Sequence, residues 1–209
     1  DRFRALVLQQ RETARASRKN AGADAWAGDS DVLDDIAKTE FVGYTDMKAT
    51  AKVTAIVKDG ARVEAVETGD DIVFTLDRTS FYAESGGQVG DTGVITNDSC
   101  TIRVLDTTKN AAGVFIHKAV VEEGFLREGD TVEAVVDVER RRAIMRNHTA
   151  AHLLQAALRS VLGDHVEQAG QLVNENAVRF DFTHFSALTD EELLAVENLV
   201  NEKILEDIK

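Results

Sequence analysis

Residues 51–67 read Ala51-Lys52-Val53-Thr54-Ala55-Ile56-Val57-Lys58-Asp59-Gly60-Ala61-Arg62-Val63-Glu64-Ala65-Val66-Glu67, and their period decides the fold class. Ala51, Val53, Ala55 and Val57 alternate with Lys52, Thr54, Ile56 and Lys58, the two-residue period of a strand with one face toward a core. Asp59-Gly60 supplies a turn, and the chain returns through Arg62 to Glu67 as a hairpin. Further strands are predicted at 71–76, 93–96, 101–106, 113–119 and 131–137, separated by turn signals such as Gly69-Asp70 and Gly129-Asp130. Six or seven short strands between about 41 and 137 predict a small antiparallel barrel, because closure hides the edges that an open sheet exposes.

On either side of these strands the period becomes helical. Phe3, Leu6, Val7 and Gln10 share one face of a predicted basic helix over 1–20, with Arg2, Arg4, Arg11, Arg15, Arg18 and Lys19 on the others. The chain begins at Asp1 inside this pattern, without Met or cap, which predicts a piece of a longer protein. A polar loop follows, with Trp26 read as a packing anchor rather than a stacking residue, and Asp31 is expected to cap a short helix to about Lys38. After the strands, Val138–Leu162 reads as arginine-rich helical turns followed by an apolar helix stopped by Gly163. A hairpin around Asn174-Glu175-Asn176 and a last helix opened by the capping box Thr189/Glu192 complete the pattern. The expected α+β organisation is a helical segment at 1–40, a barrel at 41–137 and a partial second unit at 138–209. Beyond its hairpin, that unit has no sheet large enough to cover two helices and is expected to lack further strands.

The chain's 209 residues are 44% hydrophobic and 29% charged, enough for a packed core, which excludes wholesale disorder. No stretch approaches the roughly 18 apolar residues of a membrane span, and no secretory leader opens the chain, so a soluble, cytoplasmic protein is expected. One cysteine, Cys100, excludes an internal disulfide and reads as a buried, inert thiol. The net charge of -13 rules against general affinity for polyanions, so any nucleic-acid contact needs a local basic patch. With no proline in the chain, the 14 glycines are expected to mark the turns.

Three features can carry chemistry. His148-Thr149-Ala150-Ala151-His152 sets two imidazoles four residues apart on one helix face, a spacing that chelates zinc and equally suits two hydrogen-bonded histidines at a domain boundary. Two histidines are too few for a complete site. The residue after His148 is not glutamate, which excludes the HExxH protease motif. Phe81 to Asp91 contains Ser85-Gly86-Gly87-Gln88, a loop whose glycines let backbone approach a phosphate or nucleotide end, or which simply bulges from the barrel. Arg140, Arg141, Arg142 and Arg146 concentrate positive charge ahead of His148, either to position phosphates or as a solvated face paired with Glu133, Asp137 and Glu139. His117, His165 and His184 are single histidines in strands. His165 or His184 can supply a third ligand only if the hairpin lies against the helix bearing His148.

The segments FYAESGGQVGDTG at 81–93 and NHTAAHLLQAALRSVLGDHVEQAGQLV at 147–173 resemble the alanyl-tRNA synthetase family, as do TEFVGY at 39–44 and RFDFTHF at 179–185. The resemblance spans nearly the whole chain, from the end of the tRNA-recognition helices into the editing domain. Freestanding alanyl-tRNA editing proteins share the loop and the histidine pair but would not be expected to open with the basic helix. Threonyl-tRNA editing shares a His-pair helix but not the SGGQ loop with a barrel.

The resemblance implies a zinc-dependent hydrolase that removes serine or glycine wrongly esterified to tRNA(Ala), with His148 and His152 as two zinc ligands. The other two would come from a downstream Cys-x-x-x-His segment that this sequence does not contain, so the site is expected to be incomplete and the isolated fragment inactive. Gln168, with Thr149, is implied as the polar group for the serine hydroxyl. Gly86, Gly87, Gln88, Arg140, Arg141, Arg142 and Arg146 are implied to face the tRNA acceptor end. ATP and magnesium are implied only for the family's aminoacylation domain, outside the resembled region, and an oligomeric parent protein is compatible with all of this. A pocket shaped for alanine cannot exclude glycine by size or reject serine's added hydroxyl strongly, which is the physical need for a second sieve. A non-catalytic tRNA-positioning module is the alternative reading.

Overall fold

A computed structural model of the chain describes residues 31–33 and 35–206. The basic segment 1–20 and Trp26 lie outside the described residues. The described strands are β1 (Glu40–Phe41), β2 (Lys48–Lys58), β3 (Ala61–Arg62), β4 (Ala65–Glu67), β5 (Asp71–Leu76), β6 (Arg78–Thr79), β7 (Gly93–Asn97), β8 (Cys100–Lys109), β9 (Phe115–Arg127) and β10 (Thr131–Val136). Then come helix α1 (Val138–Leu162), the hairpin β11 (Gln168–Val173) and β12 (Val178–Phe182), and helix α2 (Asp190–Leu205). The helix expected from Asp31 to about Lys38 does not form: Asp31–Leu33 is a single 3₁₀ turn, and residues 35–38 follow as turn, bend and irregular backbone.

Six antiparallel strands close the barrel in the order β2-β10-β7-β8-β9-β5, with β5 pairing back onto β2. The return after Gly60 is not one hairpin strand: β3 stays on β2, whereas β4 crosses to β9. The strict alternation over 51–57 also breaks. A register shift between Val53 and Ala55 turns the strand over, so that Ala51, Val53 and Ile56 enter the barrel interior with Phe74, Phe81 and Ile102. Ala55 and Val57 pack outside, against Leu33 and Val73. A bulge of this kind rotates every later side chain to the other face, and here it gives β2 two apolar faces, with Val53, Ile56 and Val57 each contributing about 1.5–3 kcal/mol by burial.

Glycine does not always mark a turn in this chain. β9 runs on past Ala119 through Gly124, whose φ is 82° and whose absent Cβ would sit 1.8 Å from the Ser99 carbonyl oxygen. Close backbone approach, not chain reversal, selects glycine there.

Asp137 caps α1, its carboxylate accepting from the Arg140 amide at 3.0 Å, and Gly163, with φ 113°, ends it. Helix α1 is one continuous element. The Asn174 side chain closes the hairpin by accepting from the amides of Asn176 and Ala177, and the capping box Thr189/Glu192 opens α2. Ala157, Leu158, Val166 and Val196 form the core shared by both helices and the two-stranded sheet, with Phe180, Phe182 and Leu199 packed on it. The chain carries α+β structure throughout its described residues, a small barrel followed by a helix-hairpin-helix unit. No helix among the described residues is long and apolar enough to cross a membrane.

Candidate functional site

The segment joining β6 to β7 brings the glycine-rich loop onto α1 and β11. Ser85 and Gln88 exchange two backbone hydrogen bonds around Gly86 (φ 60°) and Gly87 (φ 81°), a tight turn with two consecutive positive φ values. Gly87 has a second constraint, since a Cβ there would meet the Gln171 carbonyl oxygen at 2.4 Å. The loop then pairs with β11: the Val173 amide donates to the Gly87 carbonyl at 2.7 Å and the Val89 amide donates to the Val173 carbonyl at 3.1 Å.

Arg141 fastens this arrangement to the barrel. Its guanidinium is buried, grips both carboxylate oxygens of buried Asp91, and donates to the carbonyls of Gly43 (3.0 Å) and Ser80 (2.8 Å). Asp91 in turn accepts from the Tyr82 amide at 2.7 Å. One side chain of α1 thus ties the segment between β1 and β2, at Gly43, to both ends of the segment joining β6 to β7, at Ser80 and Asp91. The reading of all four arginines as one phosphate-facing patch is corrected for Arg141, which lies inside the protein. The reading as a face paired with Glu133, Asp137 and Glu139 fails too: Arg140 reaches Glu175 (3.2 Å) and the Gly90 carbonyl (2.8 Å), and Glu133 faces Lys48. Arg142 and Arg146 are exposed.

The His148 and His152 rings lie parallel, 6° apart in plane and 5.2 Å between centroids, as one helical turn dictates. His152 is exposed and His148 half-buried. Nδ1 of His148 is 2.5 Å from Oε1 of Gln88, the last residue of the loop turn, whose side chain is buried. With the amide oxygen accepting, the ring proton sits on Nδ1 and the Nε2 lone pair is left bare, the orientation that outer partners give metal-ligating histidines. Burial, and next the neighbouring His152, hold the His148 imidazole below its ordinary pKa, so it is neutral at neutral pH, the form that ligates.

The other predicted residues lie differently. Thr149 is exposed, its hydroxyl donating to the Met145 carbonyl at 3.1 Å, and one residue's rotation separates it from the histidine ridge. Gln168 is exposed at the start of β11, opposite Phe182. His165 and His184 bond each other, Nε2 to Nδ1 at 2.8 Å, and do not join the first pair: no group of three or more His, Cys, Asp or Glu able to hold a metal occurs among the described residues. His117 is fully buried in the barrel, accepting at Nε2 from Thr79 Oγ1 (3.0 Å) and donating from Nδ1 to the Phe74 carbonyl (3.4 Å). Cys100 is buried at the start of β8, and burial raises its thiol pKa. The pairing of Gln88 with His148 joins two motifs sixty residues apart, and no local periodicity points to it.

The family model for tRNA synthetases class II (A) matches residues 1–140. The alanine–tRNA ligase of Acetivibrio thermocellus is 50% identical over 99% of the chain, that of Thermoanaerobacter pseudethanolicus 49% over 96%, and that of Bacillus subtilis 44% over 97%. The chain spans about a quarter of the length of these relatives, 24%, 23% and 23% respectively. The family match ends at the start of α1, whereas the ligase likeness continues through the histidine ridge and the hairpin. The chain belongs to the tRNA synthetases of class II (A), and its likeness within them is to the alanine–tRNA ligases.

Proposed function

We propose that the chain is the barrel and part of the editing unit of an alanine–tRNA ligase, in which His148 and His152 hold a zinc ion serving hydrolysis of serine or glycine wrongly attached to tRNA(Ala). The observation that carries this reading is the pair of parallel imidazoles, His152 exposed and His148 oriented by Gln88 of the glycine-rich loop. The donor set fits zinc as half of a four-ligand site, neutral nitrogen ligands with one ring oriented through its second nitrogen. The remaining pair is assigned to a Cys-x-x-x-His segment outside this sequence.

Zinc, when bound, can polarise an ester carbonyl or lower the pKa of water. The chain's own residues do the rest. Gln88 fixes the His148 tautomer, and the loop presents the Gly86–Gly87 turn beside the ridge. Exposed Arg142 and Arg146, which form no ion pair among the described residues, meet RNA phosphates. Gln168 binds the serine hydroxyl, so that alanine leaves a polar group unpaired in the pocket; Thr149 is the less favoured choice because its hydroxyl is engaged with Met145. Only two ligands occur among the described residues, which favours an RNA-positioning role for the chain in isolation.

The test is hydrolysis of seryl-tRNA(Ala) by a polypeptide of full ligase length carrying this sequence. The His148→Ala variant is expected to lose deacylation while the barrel keeps its melting temperature. An unchanged rate contradicts the proposal.

A further inference from the structure

On the barrel surface, a cleft of about 600 Å³ opens between the segment 38–44 and the turn joining β8 to β9. Phe41 and Phe115 stack in it nearly parallel, 9° apart with centroids at 5.3 Å, and Tyr44 stands edge-on to Phe41 at 5.0 Å. Tyr44 is 85% exposed, the contact with Phe41 leaving most of its ring to solvent. Lys109 lies 5.5 Å from the Phe115 ring centroid, and the Lys38 stem runs over Gly113.

Neither lysine has a carboxylate partner among the described residues. The one acidic residue of the lining, Glu40, is bonded to Arg78. With Glu40 engaged by Arg78, Lys38 and Lys109 give the cleft a local excess of positive charge in a chain of net charge -13. The frame is rigid: Thr39 is buried, donates to the Leu76 carbonyl and accepts from the Phe115 amide, fixing Lys38 and Phe41 on either side of it.

We infer that this cleft binds an unpaired nucleotide of RNA, a base stacking on Tyr44 and the phosphates meeting Lys38 and Lys109. Aromatic faces flanked by cations are how single strands are held without base-edge reading. A protein partner is less well served, because desolvating two unpaired ammonium groups needs carboxylates at matched positions, whereas an RNA backbone brings an anion at each step. The inference shares with the proposed function only the premise that the partner is RNA.

The test uses the 209-residue chain and a single-stranded oligoribonucleotide of about ten residues carrying 2-aminopurine, whose fluorescence falls on stacking. The wild-type chain is expected to quench it, Tyr44→Phe to bind equally, and Tyr44→Ala to bind about tenfold more weakly. Lys38→Ala and Lys109→Ala should each shallow the salt dependence by roughly 0.7 in slope. His148→Ala should leave all of this unchanged, which separates the cleft from the histidine ridge. Absence of quenching by the wild-type chain overturns the inference. So does Tyr44→Ala binding as wild type, or quenching lost through His148→Ala.

Discussion

Arg141 and Asp91 show how one buried pair can do what a larger interface usually does. The pair is out of water, so its charges are costly alone and worthwhile only because each carboxylate oxygen and each guanidinium nitrogen finds a partner. Arg141→Ala therefore strands Asp91, and a loss of about 3–5 kcal/mol in urea unfolding is expected. The Arg141→Met/Asp91→Leu double variant should lose at least about 1 kcal/mol less than the sum of its single variants. His117 is the second residue whose state controls the barrel. Burial lowers its pKa to about 4 from 6.5. Between those values the unfolded chain binds more protons than the folded one, so its contribution is complete above about pH 6.5 and lost as pH falls toward 4. The loss amounts to up to about 3 kcal/mol. Chemical denaturation from pH 7 to 4 should show that slope, and His117→Gln should shallow it.

At the level of elements, the glycine-rich loop and the bulge of β2 separate what a linear pattern can convey from what it cannot. The strand at Asp71–Leu76, the Gly163 stop, the Asn174 hairpin and the Thr189 capping box are all local chemistry and were readable from the residues themselves. The bulge between Val53 and Ala55 was not, because Ala55, Ile56 and Val57 are all apolar and either face suits them. Gly124 resembled a turn residue because its real constraint, the Ser99 carbonyl, arrives from another strand. The histidine ridge was legible from its spacing, whereas the Gln88 contact and the burial of Arg141 depend on how the barrel meets α1. The loop makes a differential prediction. Gly86→Ala meets only an unfavourable φ, but Gly87→Ala adds a collision with Gln171, so Gly87→Ala should cost about 1–3 kcal/mol and Gly86→Ala less. Equal thermal shifts for the two would contradict the packing of the loop on β11.

Considered whole, the molecule is a closed barrel that delivers a loop to the start of a long helix, and the helix carries the only chemistry-bearing ridge shared with that loop among the described residues. Gln88 lies on the barrel side of this junction and His148 on the helix side, so metal affinity should depend on both. Gln88→Ala is expected to weaken zinc binding roughly 10–100-fold in a ligase-length polypeptide, the usual effect of losing an outer partner. The most direct measurement is the zinc content of that polypeptide after exhaustive dialysis, beside its His148→Ala/His152→Ala variant. One equivalent in the first and none in the second is the predicted result; equal zinc in both would contradict the assignment of these histidines.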